Sequence, residues 1–461
     1  MAVITAYFHE KSVVEREKGN IMGVNPRTVD GPFPVLQVAL DFLDTERALR
    51  LAHEAVHGGA DWLEAGTPLL KSEGLEVVRK LRSLFPFHVI VADLKTMDAG
   101  RIEFEATAKA GANVAVVLAA ASDSTISQCV EAGHKYGLKT YCDTIGIPVE
   151  NLAERAKQIE KLGVDIIGVH LPIDDQMLGH DPLMRLKTVR EAVEVPIAVA
   201  GGVTSENAAA MVDAGASIVI VGGALHKAAD AGKAAADLRK ALDSGKPVAS
   251  SLGKRTGAAH ISETLLKSST SNLSDAMHHK PCLRGIVSRT PGLRMAGQAV
   301  TVRTAPGDWN KVVQAIDTAK PGNILVADAG GGEPAVFGEL AAQSAKLRNL
   351  AGVVIFGGIR DTDMSTRIGL PIFSSAYCSD AGDPKGFGEI GTELNISGQT
   401  VRPGDWIFGD DDGVMVLPKE VAVEYANRAV DVMENELRLM SEIMGGKTLS
   451  EVVNLKKWEK H

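Results

Sequence analysis

The chain has 461 residues, and its 49 Lys and Arg against 58 Asp and Glu give a formal net charge of −9. This length predicts two or three domains, and the acidic balance argues against a general nucleic-acid binder, which needs a basic surface. Apolar residues make up 45% and charged residues 23% of the chain, an ordinary globular composition that argues against disorder.

Cysteine usage and hydropathy point to a cytoplasmic protein. The four cysteines form no C-x-x-C pair, which disfavours a zinc ribbon or a disulfide framework and fits a reducing compartment. The longest aliphatic run, 114–121, is far below the roughly 18 residues of a membrane span. Residues 1–30 contain basic residues without a following apolar segment, so we interpret them as a polar extension and not as a secretory signal.

From residue 35 onward, a short apolar run followed by a helical stretch recurs eight times. Several runs are apolar without alternation, as in parallel strands that are buried on both faces. Eight even βα units predict a TIM barrel over residues 31–242, and their evenness favours it over the alternative, an open doubly wound sheet. The eight predicted strands are 35–41, 61–64, 88–93, 113–118, 138–143, 165–170, 197–201 and 218–222.

The pattern changes after the barrel. Residues 243–258 are rich in Ser, Gly and Lys and are predicted to be a linker. Residues 259–445 then combine helices with irregularly spaced strands, which predicts a second α/β domain, and 446–461 form a tail. The strands predicted for this domain are 297–304, 324–327, 353–355, 372–374 and 414–417.

Ionisable residues stand at the ends of the predicted barrel strands, where TIM barrels build their active sites. Glu64 and Asp93 end adjacent strands, so their carboxylates can converge on Mg²⁺, which prefers oxygen ligands; the alternative is a pair of ordinary rim carboxylates. His170 ends the sixth strand and is either a general base or a structural histidine. The strand-end ionisable residues are Asp41, Glu64, Asp93, Lys95, Asp143 and His170.

The motif Asp93-x-Lys95-x-x-Asp98 is the sharpest feature of the barrel. A lysine between two carboxylates stays charged and can stabilise an enolate or deliver a proton. The alternative is a surface ion pair in a loop. This alternative is less favoured because the loop follows a barrel strand.

Glycine pairs follow the seventh and eighth strands, at Gly201-Gly202 and Gly222-Gly223. Loops at these positions of a barrel commonly bind phosphate through backbone N–H groups, and glycine allows a close approach. Either pair alone would be consistent with a plain turn. Two pairs at these strand ends predict a phosphorylated substrate.

Three motifs carry a resemblance to a known family. Residues 93–100 (DLKTMDAG), 38–41 (VALD) and 64–69 (EAGTPL) resemble 3-hexulose-6-phosphate synthase, of the orotidine-phosphate decarboxylase suprafamily, over about 35–242. The resemblance implies a lyase that condenses ribulose 5-phosphate with formaldehyde, or runs in reverse.

The resemblance also implies roles for individual residues. Glu64 and Asp93 would bind Mg²⁺, and Asp41 would support the substrate hydroxyls. His170 would remove the C1 proton, and Lys95 would stabilise the enediolate. Asp98 would reach into the site of a neighbouring subunit, so the active barrel should be a dimer.

Two related families differ from this chain at specific positions. Orotidine-phosphate decarboxylases usually continue the motif as D-I-P, where this chain has Asp98-Ala99-Gly100. Keto-gulonate-phosphate decarboxylases usually place Arg after the glycine of strand eight, where this chain has Gly222-Gly223-Ala224. These departures favour the synthase, and a 3-keto-L-gulonate-6-phosphate decarboxylase is the alternative.

The second domain contains Gly338-Glu339-Leu340 and, after an apolar run, Arg360-Asp361. Such an Arg-Asp pair is either an anion clamp beside a metal ligand or a solvated turn. The region 260–440 resembles the family of ribonuclease-activity regulator A and 4-hydroxy-4-methyl-2-oxoglutarate aldolase. That resemblance implies a swivelling β/β/α domain, usually trimeric.

By the same resemblance, Arg360 would bind the substrate carboxylate or carbonyl, and Asp361 would hold Mg²⁺. The backbone N–H groups of Gly338, Glu339 and Leu340 would bind a pyruvate-like enolate. Retention of Asp361 favours a metal-dependent lyase over a protein-binding ribonuclease regulator. Dimeric barrels joined to trimeric partners would build a hexamer, so we expect a homo-oligomer that acts on small molecules, without nucleic-acid or membrane partners.

Overall fold

A computed structural model describes residues 26–453 and Leu455. Most of the predicted extension 1–30 and the end of the predicted tail 446–461 therefore lie outside the described residues. The chain forms two compact units. The first contains residues up to 172 together with 182–251, and the second contains 173–181 together with the chain from 252 onward.

The first unit is a closed barrel of eight parallel strands in sequential order, with β8 paired to β1. The predicted TIM barrel is confirmed, and an open sheet is excluded. Every predicted strand is present with boundaries shifted by a few residues. The strands are β1 (Val35–Leu40), β2 (Trp62–Ala65), β3 (Val89–Thr96), β4 (Val114–Leu118), β5 (Lys139–Asp143), β6 (Ile166–His170), β7 (Ile197–Ala200) and β8 (Ile218–Val221).

Alternation along each strand separates the two cores of the barrel. On β1, Leu36, Val38 and Leu40 pack outward against the helices, whereas Val35 and Ala39 face the barrel interior, because successive side chains of a strand point to opposite faces. The helices of this unit are Thr45–His57, Thr67–Glu73, Glu76–Leu84, Gly100–Ala110, Asp123–Tyr136, Val149–Lys161, Leu183–Arg190, Ala208–Asp213, Gly223–His226 and Ala231–Ser244.

The second unit is built on a mixed sheet in the order β19-β18-β10-β11-β13-β14-β9, with β12 beside β13 and β15 beside β10. The predicted α/β class is confirmed, and the five predicted strands are present. The strands are β9 (Val287–Ser288), β10 (Met295–Thr304), β11 (Ile324–Asp328), β12 (Ala335–Phe337), β13 (Gly352–Ile359), β14 (Ile372–Tyr377), β15 (Gly388–Ile390), β16 (Leu394–Ile396), β17 (Gln399–Val401), β18 (Trp406–Asp410) and β19 (Gly413–Leu417).

Sequence patterns missed several elements of this unit. β15, β16 and β17 have three residues each, too few to show a period. The helix Ala422–Met444 buries Asn427, Glu434 and Arg438 beside its alanines, so its core face is not a plain apolar stripe. The helices are Ile173–Met177, Ala258–His260 (3₁₀), Ile261–Leu265, Thr270–Ala276, Asn310–Thr318, Glu339–Leu347, Thr362–Ile368, Ala422–Met444 and Leu449–Val452.

Asn427 fastens two peripheral segments of the second unit to the helix Ala422–Met444. Its Nδ2 donates to the carbonyl oxygens of Met177, at 2.8 Å, and of Thr256, at 3.0 Å. Its Oδ1 accepts from the Thr256 N–H at 2.9 Å. Asn427 is fully buried, so these bonds satisfy an amide that would otherwise be desolvated at a large cost.

Among the described residues, no helix is long and apolar enough to cross a membrane.

Candidate active site

The carboxyl ends of the barrel strands bring most of the predicted site residues to one mouth. Lys95 lies near the end of β3, where the pairing with β4 shifts register between Ala92 and Thr96. Its backbone has a φ of +49°, a left-handed conformation that is unusual for a residue other than glycine. This local irregularity turns the Lys95 side chain toward neighbouring strand ends.

Lys95 bridges two carboxylates. Its Nζ lies 2.7 Å from Oδ2 of Asp93 and 3.2 Å from Oδ2 of Asp143. Burial lowers the pKa of Lys95, but the negative charges of Asp93 and Asp143 outweigh that effect and raise its pKa above the ordinary value. The ammonium is therefore held in its charged form. The second carboxylate beside Lys95 is Asp143 and not Asp98 of the same chain, which corrects our interpretation of the motif.

Asp143 also holds His170. The His170 Nδ1 lies 3.0 Å from Asp143 Oδ2, and the N–H of Ile145 donates to Asp143 Oδ1 at 2.9 Å. Burial alone would raise the pKa of Asp143, but the contacts with His170 and Lys95 lower it. We noted Asp143 among the strand-end residues without assigning it a role. The contacts of Asp143 with both a lysine and a histidine become visible only when the closed barrel brings the ends of β3, β5 and β6 to one mouth.

Glu64 is buried on β2 beside a second buried polar side chain. Nε2 of Gln37 donates to Glu64 Oε2 at 2.5 Å. Burial raises the pKa of Glu64 well above its ordinary value, and the negative charges of Asp93 and Asp41 raise it further. A site that disfavours the charged carboxylate to this degree is prepared for a cation.

The two carboxylate oxygens of Asp93 differ in their contacts. The Thr67 hydroxyl lies 2.9 Å from Asp93 Oδ2 and 2.8 Å from the Asp93 carbonyl oxygen, which share its single proton as acceptors, and Lys95 also approaches Oδ2. Asp93 Oδ1 is buried and has no hydrogen-bond partner among the described residues, an arrangement that is costly unless a ligand completes it. This atom and the carboxylate of Glu64 fit Mg²⁺, which is commonly held by one or two protein carboxylates with substrate and water in the remaining positions.

No group of three or more His, Cys, Asp or Glu side chains with metal-binding geometry occurs in the described part of the chain.

Asp41 lies at the end of β1, between the backbones of two glycines. A Cβ atom on Gly66 would lie 2.1 Å from Asp41 Oδ1, and one on Gly222 would lie 3.2 Å from Oδ2. Asp41 is exposed at the mouth, yet the surrounding protein atoms limit the solvation of its carboxylate and raise its pKa, as does the charge of Asp93. Asp41 thus belongs to the same cluster as Glu64 and Asp93.

The glycine pairs also lie at this mouth, after β7 and β8. Gly201 and Gly202 have φ values of +100° and +70°, which glycine adopts without strain, and Gly223 begins the short helix Gly223–His226. Asp98 is exposed in the loop after β3, and its Oδ1 accepts from the Ala99 N–H. The phosphate-binding and cross-subunit roles of these residues remain predictions.

The second unit brings its predicted residues together at the ends of β12 and β13. Oδ2 of Asp361 accepts the N–H of Glu339 at 3.1 Å and lies 3.6 Å from Nε of Arg360. Asp361 has a φ of +57°, which directs its side chain back toward Gly338. The Leu340 side chain is 86% exposed, so at this position only the backbone N–H is suited to the predicted role.

Comparisons with known proteins agree with this architecture. Residues 34–238 match the orotidine 5'-phosphate decarboxylase / HUMPS family, and residues 270–416 match the Aldolase/RraA family. A 3-hexulose-6-phosphate synthase from Mycobacterium gastri is 40% identical over 45% of this chain and 99% of its own length. The enzyme of the same name from Methylomonas aminofaciens is 43% identical over 44% of this chain and 96% of its own length.

The chain belongs to the 3-hexulose-6-phosphate synthase family. It is a carbon–carbon lyase of the aldolase type, because relatives of that name match the whole barrel. In the second unit of this synthase-family protein, residues 270–416 are similar to the Aldolase/RraA family. The RNA-processing inhibitor RraA from Thermus thermophilis is 29% identical and covers 32% of this chain and 92% of its own, with a TM-score of 0.31.

Proposed function

We propose that the first unit is a Mg²⁺-dependent 3-hexulose-6-phosphate synthase, which interconverts ribulose 5-phosphate plus formaldehyde with hexulose 6-phosphate. The observation that carries the proposal is the hydrogen-bonded series Asp93–Lys95–Asp143–His170 beside the buried carboxylate of Glu64. This arrangement unites a base, a fixed positive charge and two oxygen ligands at one barrel mouth. A base removes the proton, and the positive charge and the metal stabilise the enediolate that forms.

His170 is the proposed base. When the Nδ1–H of His170 donates a hydrogen bond to Asp143, the lone pair of Nε2 is free to accept the C1 proton of the sugar phosphate. Asp143 thereby selects the tautomer and stabilises the imidazolium that forms. The enediolate carbon then attacks the carbonyl carbon of formaldehyde, and the carbonyl π-bond electrons form an alkoxide that takes the proton held by the His170 imidazolium.

Lys95 is the proposed electrostatic stabiliser. Its ammonium is held by Asp93 and Asp143 before substrate arrives, so little reorganisation is needed when negative charge develops on the enediolate. Mg²⁺ held by Glu64 and Asp93 would polarise the neighbouring carbonyl and hydroxyl oxygens of the substrate. Asp41 would accept hydrogen bonds from the sugar hydroxyls, and the glycines after β7 and β8 would bind the phosphate.

A substitution of Lys95 tests this proposal. Lys95→Ala should reduce formaldehyde-dependent consumption of ribulose 5-phosphate by about 1,000-fold, because the preorganised charge is lost. Lys109→Ala, at an exposed helix position paired with Glu105, is the matched control and should retain full activity. Normal activity of the Lys95 variant, or activity of the wild type that chelators leave unchanged, would contradict the proposed mechanism.

A decarboxylase assay separates the alternative reaction. Release of carbon dioxide from 3-keto-L-gulonate 6-phosphate, without formaldehyde-dependent turnover, would reassign the barrel to that related activity. Both reactions pass through an enediolate, so Lys95→Ala would abolish either one. The substrate comparison must therefore be made with the wild type.

We further propose that the second unit is a metal-dependent aldolase acting on a pyruvate-derived aldol. The Arg360–Asp361 pair beside the Glu339 N–H favours this activity, since a cation, a guanidinium and a backbone donor together suit an enolate with an adjacent carboxylate. Asp361→Asn should abolish Mg²⁺-stimulated pyruvate release from such aldols or from oxaloacetate and spare the barrel activity. Absence of release by the wild type, together with stable binding of a ribonuclease, would favour a regulatory domain.

A further inference from the structure

Gln37 is a fully buried amide inside the barrel. It lies on β1 between Val35 and Ala39, whose side chains face the interior core, and its own exposure is 0%. Its Oε1 is buried without a hydrogen-bond partner among the described residues. An apolar side chain of similar length would fill this position without desolvating an amide, which destabilises the fold when part of the amide is left unsatisfied. A role beyond packing would explain why the amide is present.

The hydrogen bond of Gln37 points to that role. Its Nε2 donates to Glu64 Oε2 at 2.5 Å, so one oxygen of the carboxylate is bound to the protein and the other is left for a ligand. Asp93 has a related arrangement: Thr67 Oγ1 lies 2.9 Å from Oδ2 and 2.8 Å from the Asp93 carbonyl oxygen, and Oδ1 is buried and unpartnered. Each carboxylate has one oxygen held by protein side chains, Lys95 included in the case of Asp93, and one oxygen to offer.

We propose that Gln37 and Thr67 are positioning residues that orient the Glu64 and Asp93 carboxylates toward one divalent cation. Neither residue touches the cation. Each restricts the rotation of a carboxylate that would bind the cation, as hydrogen-bonded neighbours of metal ligands generally do. This inference rests on the proposed function, because it assumes that Glu64 and Asp93 are the cation ligands.

Both donors are neutral, and this matters for the charge of the site. A cationic donor in place of Gln37 would neutralise Glu64 and compete with the metal ion. The amide of Gln37 orients Glu64 and leaves its negative charge available, and the hydroxyl of Thr67 adds no charge at Asp93. Lys95 is the positive group beside Asp93, and it approaches Oδ2, the oxygen already bound by Thr67.

The test measures cation affinity and not turnover. The probe is Mn²⁺, followed by the electron paramagnetic resonance signal of the free ion, with the full-length chain carrying Asp361→Asn to remove the carboxylate proposed for the second unit. In this background, Gln37→Met should raise the dissociation constant for Mn²⁺ by about 10- to 100-fold. Thr67→Val, which acts through the other carboxylate, should do the same.

Thr140→Val is the matched control. Thr140 is a fully buried barrel residue whose Oγ1 is also without a hydrogen-bond partner, but it packs against Gly133. Its replacement should leave the Mn²⁺ affinity unchanged. Near-ultraviolet circular dichroism establishes that each variant is folded, and Thr67→Val provides an independent measurement if Gln37→Met does not fold.

The outcomes distinguish this inference from the proposed function. Binding that Glu64→Gln abolishes but that Gln37→Met and Thr67→Val leave as tight as in Thr140→Val would overturn the positioning role and preserve the metal site. Absence of any Glu64-dependent binding would overturn both. A 10- to 100-fold weakening confined to the Gln37 and Thr67 variants would support both.

Discussion

The barrel mouth owes its chemistry to a few carboxylates with opposite pKa displacements. The pKa of Glu64 is raised because the carboxylate is buried near other negative charges, whereas the pKa of Asp143 is lowered by His170 and Lys95 despite burial. Such a separation of neighbouring acids is typical of catalytic sites. Glu64 is suited to accept a cation, and Asp143 is suited to bind the Lys95 ammonium and to orient the His170 ring.

Replacing Asp143 tests its role as the group that orients the base. Asp143→Asn should lower kcat by about 100-fold or more with a smaller effect on KM, because the amide no longer fixes the His170 tautomer. Asp123→Asn, an exposed carboxylate paired with Arg155, is the control and should behave as wild type. Steady-state kinetics measures kcat and KM for both variants, and a change in KM alone would assign Asp143 to substrate binding.

The raised pKa of Glu64 predicts a pH-dependent instability of the metal-free enzyme. Above its ordinary pKa of 4.5, the unfolded chain releases this proton before the folded chain does, so the free energy of unfolding falls as pH rises. The loss is up to about 1.4 kcal/mol per pH unit until the folded pKa is passed. Glu64→Gln should therefore be more stable than wild type at pH 8, and the difference should be smaller at pH 5.

Urea unfolding in the presence of a chelator measures this difference. Glu76→Gln, at an exposed position paired with Arg79, serves as the control, since little stability is expected from an exposed pair. Equal stability of the Glu64 variant and wild type at both pH values would show that the Glu64 carboxylate is not destabilised in the folded state.

At the scale of elements, close packing between adjacent strands explains a glycine that no turn requires. Gly168 lies within β6, and a Cβ atom there would be 2.2 Å from the Tyr141 ring on β5. Gly168→Ala should lower the free energy of unfolding by about 1–3 kcal/mol through overpacking. Gly257→Ala, where a Cβ meets nothing within 4 Å, is the control in urea titrations, and equal effects would refute the packing argument.

The helix Ala422–Met444 provides the corresponding test in the second unit. Asn427→Ala should lower the free energy of unfolding by about 1–3 kcal/mol, because the buried carbonyl oxygen of Met177 and the partly buried backbone groups of Thr256 lose their partner. Asn435→Ala, on the same helix but exposed, should have little effect. Limited proteolysis adds a local readout, with faster cleavage within 173–181 expected only for the Asn427 variant.

The elements that could be predicted from the sequence were those with a regular hydrophobic pattern. All eight barrel strands followed from apolar runs at regular intervals, since parallel strands are buried on both faces. The three-residue strands β15, β16 and β17 and the helix Ala422–Met444 did not. Their residues are either too few to repeat or mix small and charged side chains on the buried face.

At the scale of the whole molecule, the proposed sharing of sites between subunits predicts complementation of inactive variants. Co-expressed Lys95→Ala and Asp98→Ala chains should regain about a quarter of wild-type activity, because half of the dimers are mixed and each has one site without a defect. Lys95→Ala with His170→Ala should regain none, because both residues are expected to serve the site of their own chain. Failure of the first pair, measured as synthase activity, would place Asp98 outside the neighbouring site.

Local sequence patterns were sufficient to predict the closed barrel, the α/β class of the second unit and the candidate residues at the strand ends, because period and strand polarity are local properties. Tertiary structure decided which of these residues act on each other. Asp143 joins Lys95 to His170 only because closure of the barrel places β3, β5 and β6 around one mouth. Gln37 resembles any strand residue until its amide is found buried against Glu64; partners distant in sequence cannot be inferred from local patterns.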